Sequence, residues 1–142
     1  MRWLASSLAL LALGCAQAPT QPAGGGLVGP VWQLVRFRGG DDRVLAPIDP
    51  GSYTLQFGAD GRVSARIDCN RGSGSYKTAG TSGLEFGPMA ITRAACPPGS
   101  MHDHLVRQLP HVRSYVVRDG RLFLSLMADG GIYELEAQPG SR

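Results

Sequence analysis

Apolar and polar residues alternate one by one along much of the chain, which is the pattern of β-strands with one exposed face. Tyr53–Phe57 and Arg62–Ile67 alternate in this way on either side of a glycine-rich turn at residues 58–61. Two such runs separated by a short turn predict an antiparallel hairpin. The apolar residues of both runs share one face, so we expect that face to lie in the core.

The C-terminal part of the chain repeats this pattern. Val112–Arg118 and Arg121–Met127 flank Asp119-Gly120, a dipeptide that is typical of tight hairpin turns. Ile132–Ala137 follows after another glycine-rich turn and predicts a further strand. These three runs therefore indicate a second antiparallel meander.

The other strand signals are weaker. Val31–Arg38 is an aromatic and branched run, whereas Val44–Ser52 contains two prolines and predicts a loop or a short edge segment. Residues 72–83 (GSGSYKTAGTSG) predict a flexible stretch with a short strand around Tyr76. Two strand pieces are expected on either side of Gly87-Pro88, namely Leu84–Phe86 and Ala90–Arg93.

One helix is predicted after residue 99. Ser100 followed three residues later by Asp103 has the spacing of a capping box, in which the two side chains satisfy the first backbone N–H groups. Pro110 would end the helix. Apolar residues recur every four positions on one helical face, at Met101, Leu105 and Leu109.

These elements predict a mainly β fold: a small antiparallel β-barrel or rolled sheet of seven to eight strands with one packed α-helix. Closure is expected because a single small domain must protect its sheet edges from pairing with other chains. The leucines of the last hairpin are expected to fill the core rather than to line a ligand cavity. The predicted core consists of Trp32, Tyr53, Leu55, Phe57, Val63, Ile67, Leu105, Leu109, Leu122 and Leu124.

The N-terminus has the order of a bacterial export signal. A basic start at Arg2 precedes the apolar run Leu4–Leu13, and Gly14-Cys15 follows. The run is too short to cross a bilayer. Cys15 is therefore predicted to receive a lipid, with residues 1–14 removed; ordinary cleavage near Ala16 or Ala18 is the alternative. Residues 15–29 would form a lipidated flexible tether and residues 30–138 the folded domain.

Charge and cysteine content narrow the possible functions. The formal net charge of +3 is too small to indicate nucleic-acid binding. All basic residues except Lys77 are arginine, which we attribute to codon bias. In an oxidising compartment Cys69 and Cys96 favour a disulfide, which would stabilise the fold by roughly 3.5 kcal/mol. The alternative is a catalytic thiol.

An ordered set of short motifs runs through the chain. It comprises Trp32-x-Leu34, Phe57-x-x-Asp60-Gly61, Asp68-Cys69-Asn70-Arg71, Gly74-x-Tyr76, Leu84-x-Phe86-Gly87-Pro88-Met89-Ala90-x-Thr92-Arg93, Cys96-Pro97, Ser114-Tyr115 and Leu122-x-Leu124. This set resembles the META domain family, typified by the HslJ-like heat-shock lipoproteins of bacterial envelopes. The resemblance covers about residues 30–137.

The resemblance implies a small antiparallel barrel with a packed helix and a location in the envelope. The resemblance does not imply an enzyme, because no catalytic residues are established for the family. Members of the family are linked to envelope stress, so a role in envelope stress is expected. One departure is Asp68, where the family often has glycine. We expect Asp68 to pair with Arg71 or Arg93 and to give the local backbone a conformation different from that of the glycine version.

The polar cluster around Cys69 is the main candidate site. The functional interpretation is a binding rim for an anionic or peptide-like group, formed by Asp68, Asn70, Arg71 and Arg93. The structural interpretation is that Asn70 caps a turn and Arg71 pairs with Asp68 while Cys69 bridges to Cys96. The structural interpretation is favoured, because Asn after a strand usually serves a turn.

Other candidate chemistry is weaker. His102 and His104 point to different sides of the helix and His111 lies beyond Pro110, so no metal site is predicted. Ser100 has no nucleophile-elbow sequence around it, and Tyr76 stands where a phosphate loop needs glycine. We predict no cofactor and no catalytic residues.

The sequence therefore predicts a non-catalytic envelope lipoprotein that acts by binding, as a stability or stress-tolerance factor. An envelope protein or polymer is the expected partner, no nucleic acid is expected, and the chain should be a monomer. Ala16 rather than Asp after Cys15 favours the outer membrane, with the barrel facing the periplasm. The alternative function is a periplasmic enzyme inhibitor, using residues 73–76 as an inserting loop, or a small-ligand-binding barrel.

Overall fold

The computed structural model describes residues 26–141, so the export signal, Cys15 and the tether up to residue 25 lie outside the described residues. Within that range the chain forms nine strands and one α-helix. In chain order these are β1 (Val31–Gly39), β2 (Val44–Leu45), β3 (Tyr53–Phe57), β4 (Arg62–Ile67), β5 (Asn70–Ala79), β6 (Gly83–Ile91), α1 (His102–Gln108), β7 (Val112–Arg118), β8 (Arg121–Leu126) and β9 (Gly131–Ala137).

The sheet closes on itself because β1 pairs with both β3 and β9. The strands β1 and β3 to β9 form a closed antiparallel barrel of eight strands, and β2 adds a two-residue edge to β1. The predicted mainly β barrel with one helix is therefore confirmed. The seam between β6 and β7 is thin, since Gly83 and Ser114 are the one registered pair there, and α1 lies in the connection between these two strands.

The barrel interior is filled by large apolar side chains from every barrel strand and from α1. All ten predicted core residues are buried, from Trp32 on β1 to Leu124 on β8. The leucines of the last hairpin and Tyr133 are buried, with Leu122 and Leu124 at 0% exposure. Leu27 is also buried, so the packed body begins before β1.

Two predicted loops are strands instead. Residues 70–79 form the ten-residue strand β5, so the short strand predicted around Tyr76 is present but much longer than expected, and the flexible stretch at residues 72–83 is reduced to its final turn. The two strand pieces around Gly87-Pro88 are one strand, β6, whose register with β5 shifts between Gly74 and Tyr76. Residues 73–76 therefore do not form the inserting loop that the inhibitor alternative requires.

The helix begins later than predicted and lacks the capping box. Its N-cap is Met101, which makes no side-chain cap hydrogen bond. The Ser100 Oγ accepts from the backbone N–H of His102 at 3.1 Å, and the Asp103 carboxylate pairs with the His102 ring instead of capping. Within residues 26–141 no helix is both long enough and apolar enough to cross a membrane.

Candidate functional site

Asn70, the centre of the predicted rim, is a buried structural residue. Its side chain is 0% exposed, and its Oδ1 accepts from Thr92 Oγ1 and from the backbone N–H of Ala94, both at 2.8 Å. Its Nδ2 donates to the Ala94 carbonyl at 2.9 Å and lies 3.3 Å from Cys96 Sγ. The amide thus joins the start of β5 to the segment after β6, and no polar atom of it remains for a ligand.

A disulfide joins Cys69 and Cys96 across the same junction, with 5.5 Å between their Cα atoms. The sequence predicts this bond from the compartment alone, and the structure contains it. The crosslink and the Asn70 amide therefore hold the same two segments together. Both act on the loop at residues 92–96, which runs from β6 towards α1.

The four predicted rim residues do not converge on one pocket. Arg93 borders an open cleft of about 700 Å³ between the loop after β6 and α1, whereas Asp68 borders a separate depression beside Ser52 and Pro97. Arg71 is exposed on β5. Asn70 is covered by residues 92–94. The structural interpretation of this cluster therefore describes the geometry better than the binding rim.

Asp68 corrects two expectations. It forms an ion pair with neither Arg71 nor Arg93 within the described part of the chain, where Arg66 Nε instead approaches the Asp68 carbonyl at 3.5 Å. Its φ angle is 58°, in the left-handed region that glycine adopts most readily. Asp is among the few residues that tolerate this region, so the two-residue turn forms without a glycine. The backbone is therefore the glycine-like one rather than a different one.

In the cleft between the loop after β6 and α1, the polar groups already form hydrogen bonds with one another or with neighbouring residues. Ser100 Oγ lies 3.3 Å from Tyr53 Oη, and Tyr53 Oη accepts from the backbone N–H of Met101 at 2.8 Å. His102 Nδ1 lies 3.0 Å from the Asp103 carboxylate. Among residues 26–141, no three His, Cys, Asp or Glu side chains gather in a group that could hold a metal ion.

His104 lies on α1 and packs its ring onto aromatic side chains of the barrel. Its ring stacks edge-on against Phe37, with 4.5 Å between ring centroids, and lies 5.8 Å from the Tyr133 ring. Burial lowers the pKa of His104, and the nearby charges of Arg107 and Arg43 lower it further. Burial likewise raises the pKa of Tyr133. Both groups are therefore held in their neutral forms, which suits an apolar plug.

The best-organised polar surface lies on the outside of the barrel, away from the predicted rim. We call it the arginine cleft: an open hollow of about 560 Å³ over the strands β7, β8, β9 and β1. Four arginines border it with two acidic residues, an excess of two positive charges. Its lining consists of Arg36, Arg38, Arg118, Asp119, Arg121, Phe123, Ile132 and Glu134.

Glu134 organises the floor of the arginine cleft. Its side chain is 9% exposed and accepts from Arg36 Nε at 2.6 Å, while its other oxygen accepts from Arg121. Burial alone would raise the pKa of Glu134, but the hydrogen bonds and charges of Arg121 and Arg36 outweigh burial and lower it. The carboxylate thus stays ionised and fixes two guanidinium groups whose remaining N–H groups face outwards.

The other two arginines carry the excess charge. Arg118 lies over the Phe123 ring, with 5.1 Å from the guanidinium carbon to the ring centroid. Arg38 is exposed, and neither it nor Arg118 forms an ion pair within residues 26–141. Guanidinium groups arranged in this way suit phosphate or carboxylate groups. Attributing the arginine content to codon bias missed this cluster. Alternation along β1 would place Arg36 and Arg38 on the same face as the buried Trp32 and Leu34, and a bulge between Leu34 and Arg36 turns them outward instead.

The META domain family matches residues 26–138, which is nearly all of the described barrel. No curated protein is similar enough in sequence to match the chain.

Two solved structures share the fold. A protein from Burkholderia xenovorans, solved by NMR, is 23% identical with a TM-score of 0.68, and the match covers 94% of this chain and 99% of that one. A DUF4847 family protein from Bacteroides vulgatus is 16% identical with a TM-score of 0.59, covering 79% and 94%. Identities this low show the fold alone. Because the family match spans the whole barrel, the chain belongs to the META domain family, and that membership supports an envelope-associated protein.

Proposed function

We propose that this chain is a non-catalytic lipoprotein of the bacterial envelope that contributes to envelope stability by binding an anionic envelope component in the arginine cleft. Cys15 carries the lipid, the outer membrane holds it, and the barrel faces the periplasm as a monomer. The observation that carries the binding role is the pair Arg36 and Arg121, both fixed by the buried carboxylate of Glu134. Arginines fixed in this way lose little entropy when they bind an anion.

The non-catalytic role is supported by the state of the reactive groups. Cys69 and Cys96 are bonded to each other, so neither offers a free thiol. Ser100 lies within hydrogen-bond distance of Tyr53 and of the His102 backbone N–H, and among residues 26–141 no His, Asp or Glu side chain hydrogen-bonds its hydroxyl as a general base would. The interior of the barrel is occupied by its own side chains, which disfavours the small-ligand-binding alternative.

An NMR titration with inorganic pyrophosphate, a minimal phosphate probe, tests the binding role. It uses the full chain with Cys15→Ser, which removes the lipid acceptor and leaves residues 26–141 unchanged. We expect the largest chemical-shift changes at the four cleft arginines, and weaker binding in the Arg38→Gln, Arg118→Gln variant. The matched control replaces two exposed arginines of β4, Arg62→Gln and Arg66→Gln. Equal weakening in both variants would contradict a specific site.

Intact-mass measurement of the wild-type chain from membranes tests the anchor. We expect a mass that corresponds to a chain starting at Cys15 with attached acyl groups, and loss of membrane association in Cys15→Ser. An unlipidated mature chain that starts near residue 16 or 18 would contradict anchoring and leave the binding role intact.

The competing functions have their own tests. Stoichiometric capture of one hydrolase from envelope extract by the Cys15→Ser chain would favour an inhibitor. Hydrolytic turnover on ester or peptide substrates that disappears in Cys96→Ser would contradict a non-catalytic role. We expect neither result.

A further inference from the structure

The arginine cleft is part of a continuous outer face that crosses four strands. The strand register places Val116, Phe123, Glu134 and Arg36 in one row across β7, β8, β9 and β1. A second row contains Arg118, Arg121, Glu136 and Gln33, and a third contains Ser114, Ser125, Ile132 and Arg38. The face is therefore set by the sheet itself and not by a loop.

Apolar and cationic side chains are mixed on this face. Val116 is 49% exposed and Ile132 is 43% exposed, so two branched apolar side chains reach solvent among the arginines of this face. Arginines border both: Arg118 in the row beside Val116, and Arg38 directly opposite Ile132. Three acidic residues lie among the four arginines: Glu134 binds two arginines, Glu136 accepts from Gln33 at 2.7 Å, and Asp119 borders the cleft. Four arginines against three carboxylates leave this face one net positive charge.

The chain leaves the described part of the protein at the barrel end where β7 turns into β8. Gly26 lies against Val117, where an added Cβ would come within 2.8 Å of Val117 Cγ1. Val117 precedes Arg118 in β7, and its side chain lies on the inner side of the sheet, in register with the buried Leu122. Ten residues lie between Cys15 and Gly26, and a connection of that length spans at most about 40 Å. A lipid on Cys15 would thus hold this end of the barrel within about 40 Å of the bilayer.

We infer that this outer face docks onto the headgroups of an anionic bilayer, so that the barrel lies on its side against the membrane that anchors it. The inference deepens the proposed function, and its geometry rests on the proposed lipid at Cys15. Arginines whose apolar stems lie along a surface while their guanidinium groups reach phosphates are suited to the interfacial region. The exposed Val116 and Ile132 would enter the same region.

A lipid surface fits this face better than an acidic protein does. The cationic groups lie in three rows around one shallow hollow that is open to solvent, not around an enclosed cavity. A headgroup layer presents many phosphates over a flat area, and each basic residue near such a layer contributes independently. The short tether also keeps the lipid headgroups at high local concentration, whereas a protein partner would have to diffuse to the face.

Vesicle co-sedimentation tests the inference. The chain without the predicted signal, residues 15–142 with Cys15→Ser, is mixed with vesicles of phosphatidylcholine alone, or of phosphatidylcholine with phosphatidylglycerol. We expect binding to the anionic vesicles only, weakened by salt. Arg38→Gln with Arg118→Gln should reduce the partition coefficient by about tenfold to thirtyfold. The control Arg62→Gln with Arg66→Gln, which removes the same charge from β4, should change it by less than about twofold.

Two further variants keep the test decisive if a double substitution disturbs folding. Arg38→Lys with Arg118→Lys retains the charge and should retain binding, whereas Ile132→Ser should weaken binding without changing the charge. Equal binding to neutral vesicles, or equal loss in the β4 control, would overturn the inference. Binding of poly-glutamate together with no binding of vesicles would overturn it in favour of an acidic polypeptide.

These outcomes separate the inference from the proposed function. The Cys15→Ser chain has no lipid acceptor, so failed vesicle binding speaks against the docking face and not against the anchor. If the natural chain carries no lipid but still binds anionic vesicles, the proposed lipid anchor is contradicted and the proposed docking face is supported.

Discussion

The side-chain amide of Asn70 binds both backbone groups of Ala94. Its Oδ1 accepts from the Ala94 N–H at 2.8 Å and its Nδ2 donates to the Ala94 carbonyl at 2.9 Å. The amide therefore pairs with the loop after β6 as a neighbouring strand would. Because Asn70 is 0% exposed, its amide makes these hydrogen bonds in place of bonds to solvent.

Asn70→Ala should destabilise the fold by about 1–3 kcal/mol, since it removes the hydrogen bonds to Ala94 and Thr92 and leaves a void at a fully buried position. Chemical denaturation of the oxidised protein, with the Cys69–Cys96 bond intact, would measure this loss. The matched control is Arg71→Ala, the exposed neighbour on β5, which should change stability by less than about 0.5 kcal/mol. A small loss in Asn70→Ala would return Asn70 to the list of ligand-binding candidates.

The sequence predicted the strands whose inward positions are large and apolar. β3, β4 and β8 alternate Tyr, Leu, Phe, Val or Ile with polar residues, and their bounds are close to those predicted. β5 was missed because its inward positions are Asn70, Gly72 and Gly74, which hydrophobic periodicity does not detect. Glycine is required there by close packing: a Cβ on Gly74 would lie 2.6 Å from the Pro88 carbonyl oxygen.

The arginine cleft was not predictable from spacing alone. Arg36 and Arg38 are separated by about 80 residues from Arg118 and Arg121, and only closure of the barrel between β1 and β9 brings them together. The register that aligns Glu134 with Arg36 also depends on a bulge between Leu34 and Arg36. Such an irregularity leaves no clear trace in the alternation of residue types.

Because the backbone of Asp68 is left-handed, we expect glycine to be more stable than alanine at this position, which is the reverse of the order within a strand. Asp68→Gly should be more stable than Asp68→Ala by about 1 kcal/mol, because alanine is strained at a φ of 58°. At Ser64, an exposed position within β4, the order should be reversed, since glycine weakens a strand. Thermal unfolding of the four variants measures both differences. Alanine favoured over glycine at both positions would contradict the strained turn.

Glu134→Gln should remove an acid-sensitive part of the stability. The arginines lower the pKa of Glu134 below its ordinary value of 4.5, so its contribution is present above that pH and is lost as the pH falls through the folded-state pKa. The variant should be less stable by about 1 kcal/mol at neutral pH, a modest figure because Arg36 and Arg121 are partly exposed. The two proteins should converge as the pH falls from 4.5 through the lowered folded-state pKa of Glu134.

Glu85→Gln, at an exposed position on β6, is the control for this comparison. It removes the same charge without touching the arginine cleft. Urea unfolding at several pH values would give the stability of all three proteins. A stability difference for Glu134→Gln that persisted unchanged in acid would indicate a packing effect and contradict the ion-pair explanation.

His104 should make the fold sensitive to mild acid. Burial lowers its folded-state pKa below the ordinary 6.5, so the unfolded chain takes up the proton first and stability falls as the pH drops below about 6.5. His104→Phe keeps an aromatic ring against Phe37 and cannot be protonated, so its stability should stay nearly constant from pH 7 to pH 5. His111→Gln, at an exposed position, should retain the wild-type fall. An unchanged slope in His104→Phe would place the titrating group elsewhere, and an NMR titration of the imidazole would identify it.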